Sequence, residues 1–127
     1  MLGYVIQEHR CQGQTPHWDF MLEQGRVLKT FRLDLSPDQI VLGRRCTAVP
    51  IFDHDKRFLT YEGSVQQGLG RIRIVDRGTY EGALRPGGPW DLSLKGDVLN
   101  GPFRLTALDG GVWSLERPRL DEVPGQN

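Results

Sequence analysis

The sequence has little cysteine, no excess charge of either sign and no long apolar run, and each shortage excludes a class of protein. Its two cysteines, Cys11 and Cys46, are too few for a disulfide framework or a four-cysteine zinc site, so we expect a reduced cytoplasmic protein. No window approaches the ~20 apolar residues of a membrane span, and the N-terminus lacks the apolar core of a signal peptide. Because 16 basic residues balance 16 acidic ones, any anionic partner must be bound at a local site.

Arginine, glycine and proline are plentiful. Arginine outnumbers lysine 13 to 3, which favours oxyanion recognition through the planar guanidinium, with codon bias as the alternative explanation. The 16 glycines and 8 prolines separate short apolar or alternating runs, a pattern typical of strands joined by tight turns. We predict an all-β fold of about eight strands, an antiparallel barrel or sandwich, in which closure as a barrel would leave no exposed sheet edge. The predicted strands are 3–9, 17–23, 27–35, 46–52, 71–76, 90–95, 102–108 and 112–116.

One short helix is predicted over residues 37–42. Ser36 is a capping residue and is followed by proline and glutamine at favourable first-turn positions, and Gly43 is a typical helix terminator. The chain length fits one domain, which we place at residues 1–116. The tail 117–127 contains two prolines and little apolar surface, so we expect it to be flexible.

Residues 17–35 predict a β-hairpin with one polar face. In each of its strands apolar and polar residues alternate, so the two sets point to opposite sides. A two-residue turn that pairs Glu23 with Arg26 keeps both polar sets on the same side. This face is either the solvated surface of an ordinary hairpin or a functional site. The predicted polar pairs are His17 with Arg32 and Asp19 with Thr30.

Two further histidines extend this picture. His9 ends the preceding strand, where its imidazole can reach the face that carries His17 and Asp19. Two neutral imidazoles and one carboxylate suit Mn, Fe, Zn or Co, and three protein ligands leave positions open for water or substrate. His54 follows a strand between two aspartates, and is either a surface-turn residue or a functional group.

Several short sequence blocks follow one another along the chain in a recognisable order. They are V-I-Q-E-H at 5–9, H-W-D-F-M-L-E at 17–23, R-V-L-K-T at 26–30, D-H at 53–54, Y-E-G at 61–63, G-L-G at 68–70, V-D-R-G-T-Y at 75–80, L-K-G-D-V-L-N-G-P-F-R-L at 94–105 and V-W-S-L at 112–115. Over about residues 4–116 this set resembles the 3′-phosphoesterase domain of bacterial DNA ligase D. The resemblance implies a small antiparallel β-barrel with a polar pocket. It also implies metal-dependent removal of a 3′-phosphate or a 3′-terminal ribonucleoside in end joining.

The same resemblance implies roles for particular residues and partners. The expected metal is Mn²⁺, with Zn²⁺ or Co²⁺ as alternatives. The expected substrates are the 3′ ends of DNA or of RNA-tipped DNA. A DNA ligase, a polymerase and other end-joining proteins are implied partners, no membrane is involved, and we expect a monomer. The implied metal ligands are His9, His17 and Asp19, the implied phosphate-contacting or proton-transferring residue is His54, and the implied substrate-pocket residues are Gln7 and Thr30.

Three positions depart from the family pattern and leave a second function open. Met21 stands where the family has a phosphate-binding arginine, Phe58 where it has a tyrosine, and Phe52 where it has an acidic residue. We predict that Arg32 replaces the missing arginine as a catalytic and substrate-binding group. Otherwise the domain is a non-catalytic module that binds a nucleic-acid end or another phosphate ligand, or a structural domain without either ligand. The fallback candidates for the missing cation are Arg71 and Arg73.

Overall fold

Antiparallel strands account for most of the chain. The computed structural model describes residues 1–119. Eight strands close into a barrel in the order β1-β2-β3-β4-β9-β8-β7-β6, with β6 pairing back to β1, and the short β5 extends the sheet beside β6. The strands are β1 (Leu2–Cys11), β2 (His17–Gln24), β3 (Val27–Leu33), β4 (Cys46–Asp55), β5 (Gly63–Val65), β6 (Gly70–Glu81), β7 (Trp90–Gly96), β8 (Asn100–Ala107) and β9 (Trp113–Glu116).

The predicted all-β barrel is confirmed, and all eight predicted strands are present. The ninth strand, β5, was not predicted because three residues are too few to show an alternating pattern. The predicted helix is present as α1 (Pro37–Val41), and Gly43 follows it with a φ of 90°. Ser36 precedes the helix as expected, but its side chain makes no capping hydrogen bond, so burial of Ile40 anchors the helix instead. Three 3₁₀ turns complete the described chain: Lys56–Leu59, Gln66–Gly68 and Asp109–Gly111.

Within residues 1–119, no helix is long and apolar enough to cross a membrane. At the end of the described chain, Arg117 contacts the barrel. Its Nη1 donates to the carbonyl of Asn100 at 3.1 Å, and its guanidinium lies 4.6 Å from the centre of the Phe103 ring. Residues 120–127 of the predicted tail lie outside the described residues.

The barrel interior is filled by one set of alternating side chains. Tyr4 is fully buried there, and its hydroxyl donates to Asp76 Oδ2 at 2.7 Å. Asp76 in turn accepts from the backbone N–H groups of residues 98 and 99, which ties β6 to the turn before β8. A Cβ at Gly96 would lie 1.7 Å from the Tyr4 hydroxyl, so this position requires glycine. The interior cluster also contains Ile6, Phe20, Leu22, Phe31, Leu33, Leu92, Leu94, Phe103 and Leu105.

A second apolar cluster lies on the outer side of the barrel wall. Val5, Met21 and Leu28 are fully buried there, although they alternate with the residues that face the interior. They are covered by residues 56–69, called the covering segment below, through Phe58 and its neighbour Leu59. The outer surface of β1, β2 and β3 therefore has a dry end under this segment and a polar end beyond it.

The β2–β3 hairpin has a different register from the predicted one. Gln24 pairs with Val27, so the two loop residues are Gly25 and Arg26, and the predicted pairing of Glu23 with Arg26 is wrong. Gly25 has a φ of 60° and occupies the first loop position, where a type II′ turn requires glycine. The predicted turn would have placed glutamine there. Each β2 residue pairs with a β3 residue two positions further along the chain than predicted. A shift of two residues keeps every side chain on its predicted face.

Candidate metal centre

Two imidazoles and one carboxylate meet on the outer face of β1 and β2. His9 and His17 are directly opposite each other in the strand register, and Asp19 follows His17 on the same face. His9 Nδ1 lies 3.1 Å from His17 Nε2, and His17 Nε2 lies 3.7 Å from Asp19 Oδ2. One ligand atom from each of the three residues lies within 4.8 Å of the others. The structure thus brings together the three side chains that the sequence predicted as metal ligands.

This set of donor atoms fits a divalent transition metal. Two atoms bound to one ion at about 2.1 Å can be at most about 4.2 Å apart, and the separations of 3.1 Å and 3.7 Å lie within that limit. Only a small side-chain adjustment is needed for the widest separation, which is below 4.8 Å. Imidazole nitrogen with a single carboxylate oxygen is a donor set that suits Mn, Zn and Co better than Ca or Mg.

Burial prepares both imidazoles for metal binding. Removal from water lowers the pKa of His9 and of His17; the Asp19 carboxylate acts in the opposite direction, and the Arg32 cation lowers both further. The two rings are therefore neutral near pH 7. Neutral imidazole is the form that binds a metal ion, so no proton has to be displaced at this pH.

Cys11 fixes the orientation of His9. Its Sγ donates to Gln66 Oε1 at 3.1 Å and lies 3.3 Å from His9 Nε2, so the sulfur accepts from Nε2–H. That tautomer leaves the Nδ1 lone pair of His9 facing His17. Gly70 makes room for the pair, because a Cβ there would lie 3.0 Å from Nε2 and 3.1 Å from Sγ. Sequence analysis missed this contact, although the H-x-C spacing on one strand already placed both side chains on one face.

Arg32 lies beside the carboxylate ligand. In the observed register it is opposite Asp19, so the predicted pairing of Arg32 with His17 is wrong. Its Nε is 3.4 Å from Asp19 Oδ1, while Oδ2 faces His17, and the Arg32 side chain is 45% exposed. One carboxylate therefore joins a solvent-accessible cation to the candidate metal centre.

The two fallback arginines lie elsewhere. Arg73 is paired with Glu8, and Arg71 with Arg10, in the β1–β6 register. These β1 residues alternate with His9, so their partners point to the opposite side of the sheet. Arg73 Nη2 makes an ion pair with Glu8 Oε1 at 3.5 Å. The structure therefore leaves Arg32 as the arginine beside the candidate ligands.

A bulge in β4 directs His54 toward β3. Leu28 pairs with His54 and Thr30 with Ile51, so β4 has one more residue than β3 between these pairs. His54 Nδ1 lies 3.1 Å from the Phe52 carbonyl and 3.0 Å from Thr30 Oγ1. Because a carbonyl only accepts, Nδ1 carries the proton, and the neutral ring has its lone pair on Nε2. Thr30 donates its own proton to the Leu28 carbonyl at 3.0 Å, so it holds the imidazole as an acceptor.

Gln7 supports the covering segment. It is buried, and its Nε2 donates to the carbonyls of Phe58 at 2.6 Å and of Tyr61 at 3.1 Å. These contacts hold the start of the covering segment against the outer face of β1. The observed role of Gln7 is one of positioning, and its predicted contact with substrate stays a prediction.

The three departures from the family pattern have different surroundings. Met21 is fully buried and shares the outer apolar cluster with Phe58, so these two apolar residues pack in the same dry region. Phe58 also meets the His54 ring edge-on, with centroids 5.8 Å apart. Phe52 stacks on the His54 ring, with centroids 4.8 Å apart and planes 9° from parallel. Two aromatic rings thus contact the imidazole at positions where the family pattern has polar groups.

Comparison with known proteins places the chain in a family. The family described as "DNA Ligase D 3′-phosphoesterase domain" matches residues 7–107. The chain is also 29% identical, over 137 aligned positions, to the "Multifunctional non-homologous end joining protein LigD" of Pseudomonas aeruginosa. This alignment covers 97% of the chain and 16% of the relative, so the chain spans about a sixth of that protein's length.

Proposed function

Because the chain belongs to the DNA ligase D 3′-phosphoesterase domain family, we propose that it is a metal-dependent 3′-phosphoesterase acting on DNA ends. Its substrates would be 3′-phosphate and 3′-ribonucleoside termini that must be removed before end joining. The observation that carries this proposal is the convergence of His9, His17 and Asp19 next to the exposed cation of Arg32. An anionic phosphoryl group fits a site that combines these features.

The proposed cation is held by His9, His17 and Asp19. Manganese is the expected ion, with zinc or cobalt as alternatives, because two imidazoles and one carboxylate suit all three. A bound divalent cation offsets charge on phosphoryl oxygens and lowers the pKa of a bound water. The neutral state of the two imidazoles supports binding near pH 7.

Arg32 is proposed to hold a non-bridging phosphoryl oxygen. Asp19 engages only its Nε, and the guanidinium has further N–H donors in a fixed plane. The ion pair limits the motion of the side chain, so those donors are already oriented when a phosphate arrives. Loss of a charged contact of this kind costs about 2–5 kcal/mol.

His54 is proposed as the proton donor to the leaving oxygen. Thr30 and the Phe52 carbonyl both engage Nδ1, which turns Nε2 away from them. In the imidazolium form, Nε2–H can therefore donate a proton to an oxygen held in front of it. The stacked and edge-on aromatic rings keep the imidazole in this orientation.

Release of phosphate from a 3′-phosphate-terminated primer–template tests this proposal. We expect release that depends on Mn²⁺, that EDTA abolishes, and that His17→Ala removes. Arg32→Ala should lower kcat/KM by about 30- to 5,000-fold, whereas Arg71→Ala, on the opposite side of the sheet, should have little effect. Phosphate release by the wild type that does not exceed the His17→Ala background would contradict the proposal.

The alternative is a non-catalytic module that binds a nucleic-acid end or another phosphate ligand. Burial of Met21 favours it, because the position of the family's phosphate-binding arginine is closed to solvent here. This alternative predicts that Mn²⁺ or a phosphate analogue raises the melting temperature without any hydrolysis. Hydrolysis above the His17→Ala background excludes it.

The proposed setting is end repair together with a DNA ligase, a polymerase and end-joining proteins. The similarity to a multifunctional end-joining protein supports this setting. We further propose that the chain acts as a monomer in the cytoplasm. Light scattering of the purified protein, with and without a primer–template, tests whether the protein is a monomer.

A further inference from the structure

Phe52 is an exposed aromatic ring next to the proposed reaction site. The residue is 75% exposed, and among residues 1–119 it is the one aromatic in the set of exposed large apolar residues. Solvent exposure of such a ring is unfavourable in the free protein, and an isolated case by itself has no functional meaning. The exposed Phe52 ring is of functional interest because it lies against His54.

The Phe52 ring is oriented by its contact with His54. Phe52 and His54 are two residues apart, and their rings lie nearly parallel with centroids 4.8 Å apart. His54 therefore covers one face of the Phe52 ring. Because most of the side chain is exposed, the opposite face is open to solvent. A flat group that approaches His54 from outside meets this open face.

The open face lies within reach of a nucleotide bound at the candidate metal centre. β4 is two strands away from β2, which is roughly 10 Å across the sheet. His54 lies between the two regions, since its Nδ1 is hydrogen-bonded to Thr30 Oγ1 on β3, the strand that separates β4 from β2. A terminal nucleoside can span this separation when its phosphate lies near Arg32.

We propose that Phe52 is a stacking platform for the terminal nucleobase of the strand whose 3′ end enters the site. The inference rests on the proposed function and adds a means of recognising the nucleoside. Stacking on an aromatic ring tolerates all four bases, because each has a π face. Arg57 adds positive charge to the same group of rings, because its guanidinium lies 5.0 Å from the centre of the Phe58 ring, which contacts His54. The platform therefore recognises that a base is present, not which base it is.

The experiment compares two primer–templates that both end in a 3′-phosphate. One carries an ordinary terminal nucleoside, and the other an abasic tetrahydrofuran residue at that position. Affinities are measured by fluorescence anisotropy in EDTA, so that no turnover occurs. The variants are Phe52→Ala, Phe52→Leu and Phe52→Trp, and the matched control is Leu42→Ala, which removes a side chain that is 76% exposed beside α1. The hydrogen bond from His54 to residue 52 uses the backbone carbonyl and is retained in every variant.

Phe52→Ala should weaken binding of the ordinary primer by about 5- to 150-fold, the effect of losing one base–aromatic stack. Phe52→Leu should resemble the alanine variant, and Phe52→Trp should bind at least as tightly as wild type. The abasic primer should bind wild type and Phe52→Ala equally. Equal weakening for both primers, or an effect no larger than that of Leu42→Ala, would overturn the platform alone. A wild type that neither binds these ends nor releases phosphate with Mn²⁺ would overturn it together with the proposed function.

Discussion

Thr30 Oγ1 and His54 Nδ1 lie 3.0 Å apart across the β3–β4 pair, and this hydrogen bond sets the position of the imidazole. The threonine is buried and also donates to the Leu28 carbonyl, so its hydroxyl accepts from the ring in one fixed direction. Thr30, which was predicted to line the substrate pocket, therefore positions His54, the predicted proton donor. A positioning role of this kind can be separated from substrate contact.

Removing the Thr30 hydroxyl should impair catalysis more than substrate binding. Thr30→Val keeps the shape of the buried side chain but leaves His54 without one partner, so kcat should fall about tenfold, the effect of roughly 1.4 kcal/mol. KM should change little, and Thr30→Ser should restore most of kcat. Steady-state kinetics on the 3′-phosphate primer measure both constants. A rise in KM with unchanged kcat would show that Thr30 contacts substrate instead.

Cys11 should affect metal affinity without binding the metal. Cys11→Ala removes the acceptor of His9 Nε2–H, and loss of such a partner weakens metal binding by about 10- to 100-fold. Cys11→Ser should weaken binding less, since a hydroxyl can also accept. Calorimetric titration with Mn²⁺ measures the affinity. The absorption spectrum of the Co²⁺-loaded wild type provides the control, because a sulfur-to-cobalt charge-transfer band would show direct ligation by Cys11.

The free energy of unfolding of the metal-free protein should depend on pH through His9 and His17. The pKa of each is lowered in the folded state, so the unfolded chain takes up protons first as the pH falls. Their contribution to stability is therefore complete above the ordinary histidine pKa of about 6.5 and declines as the pH falls toward the lowered values. Urea unfolding at pH 7.5 and 5.5 measures this loss. In His17→Asn the loss should be smaller, and an equal loss in both proteins would contradict the assignment.

Restoring the family's arginine at Met21 should destabilise the protein. Met21 is fully buried in the outer apolar cluster, and an unpaired charge there costs about 3–5 kcal/mol. Met21→Leu, which keeps size and polarity, should cost less than about 1.5 kcal/mol. Urea unfolding of the two variants makes the comparison. If Met21→Arg is as stable as Met21→Leu and more active than wild type, the position is open to substrate after all.

Side-chain faces were predictable from the sequence, whereas strand register was not. Alternation over residues 17–35 placed His17, Asp19 and Arg32 on one side, and the structure agrees. A register shift of two leaves every face unchanged, so the pattern alone could not decide whether Arg32 is opposite His17 or Asp19. The conformation of Gly25 decides it.

Features that depend on contacts between distant segments could not be predicted from the sequence pattern either. The partner of Cys11 is Gln66, which is 55 residues away, and no spacing rule connects them. The β4 bulge that orients His54 leaves no mark in the alternation of residues 46–52, because the extra residue follows that run. The prediction of the three metal ligands was more accessible, since two of them lie on one strand and the third at the end of its neighbour.

The side chains of β1 and β2 fall under different constraints according to where they point. Inward residues such as Tyr4 and Phe20 fill the barrel and hold its shape. Outward residues under the covering segment, such as Met21, are equally buried and must stay apolar. Outward residues at the polar end, such as His17, lie outside both apolar clusters. Substitutions at that end of the outer wall should therefore change what the site recognises at the least cost to folding.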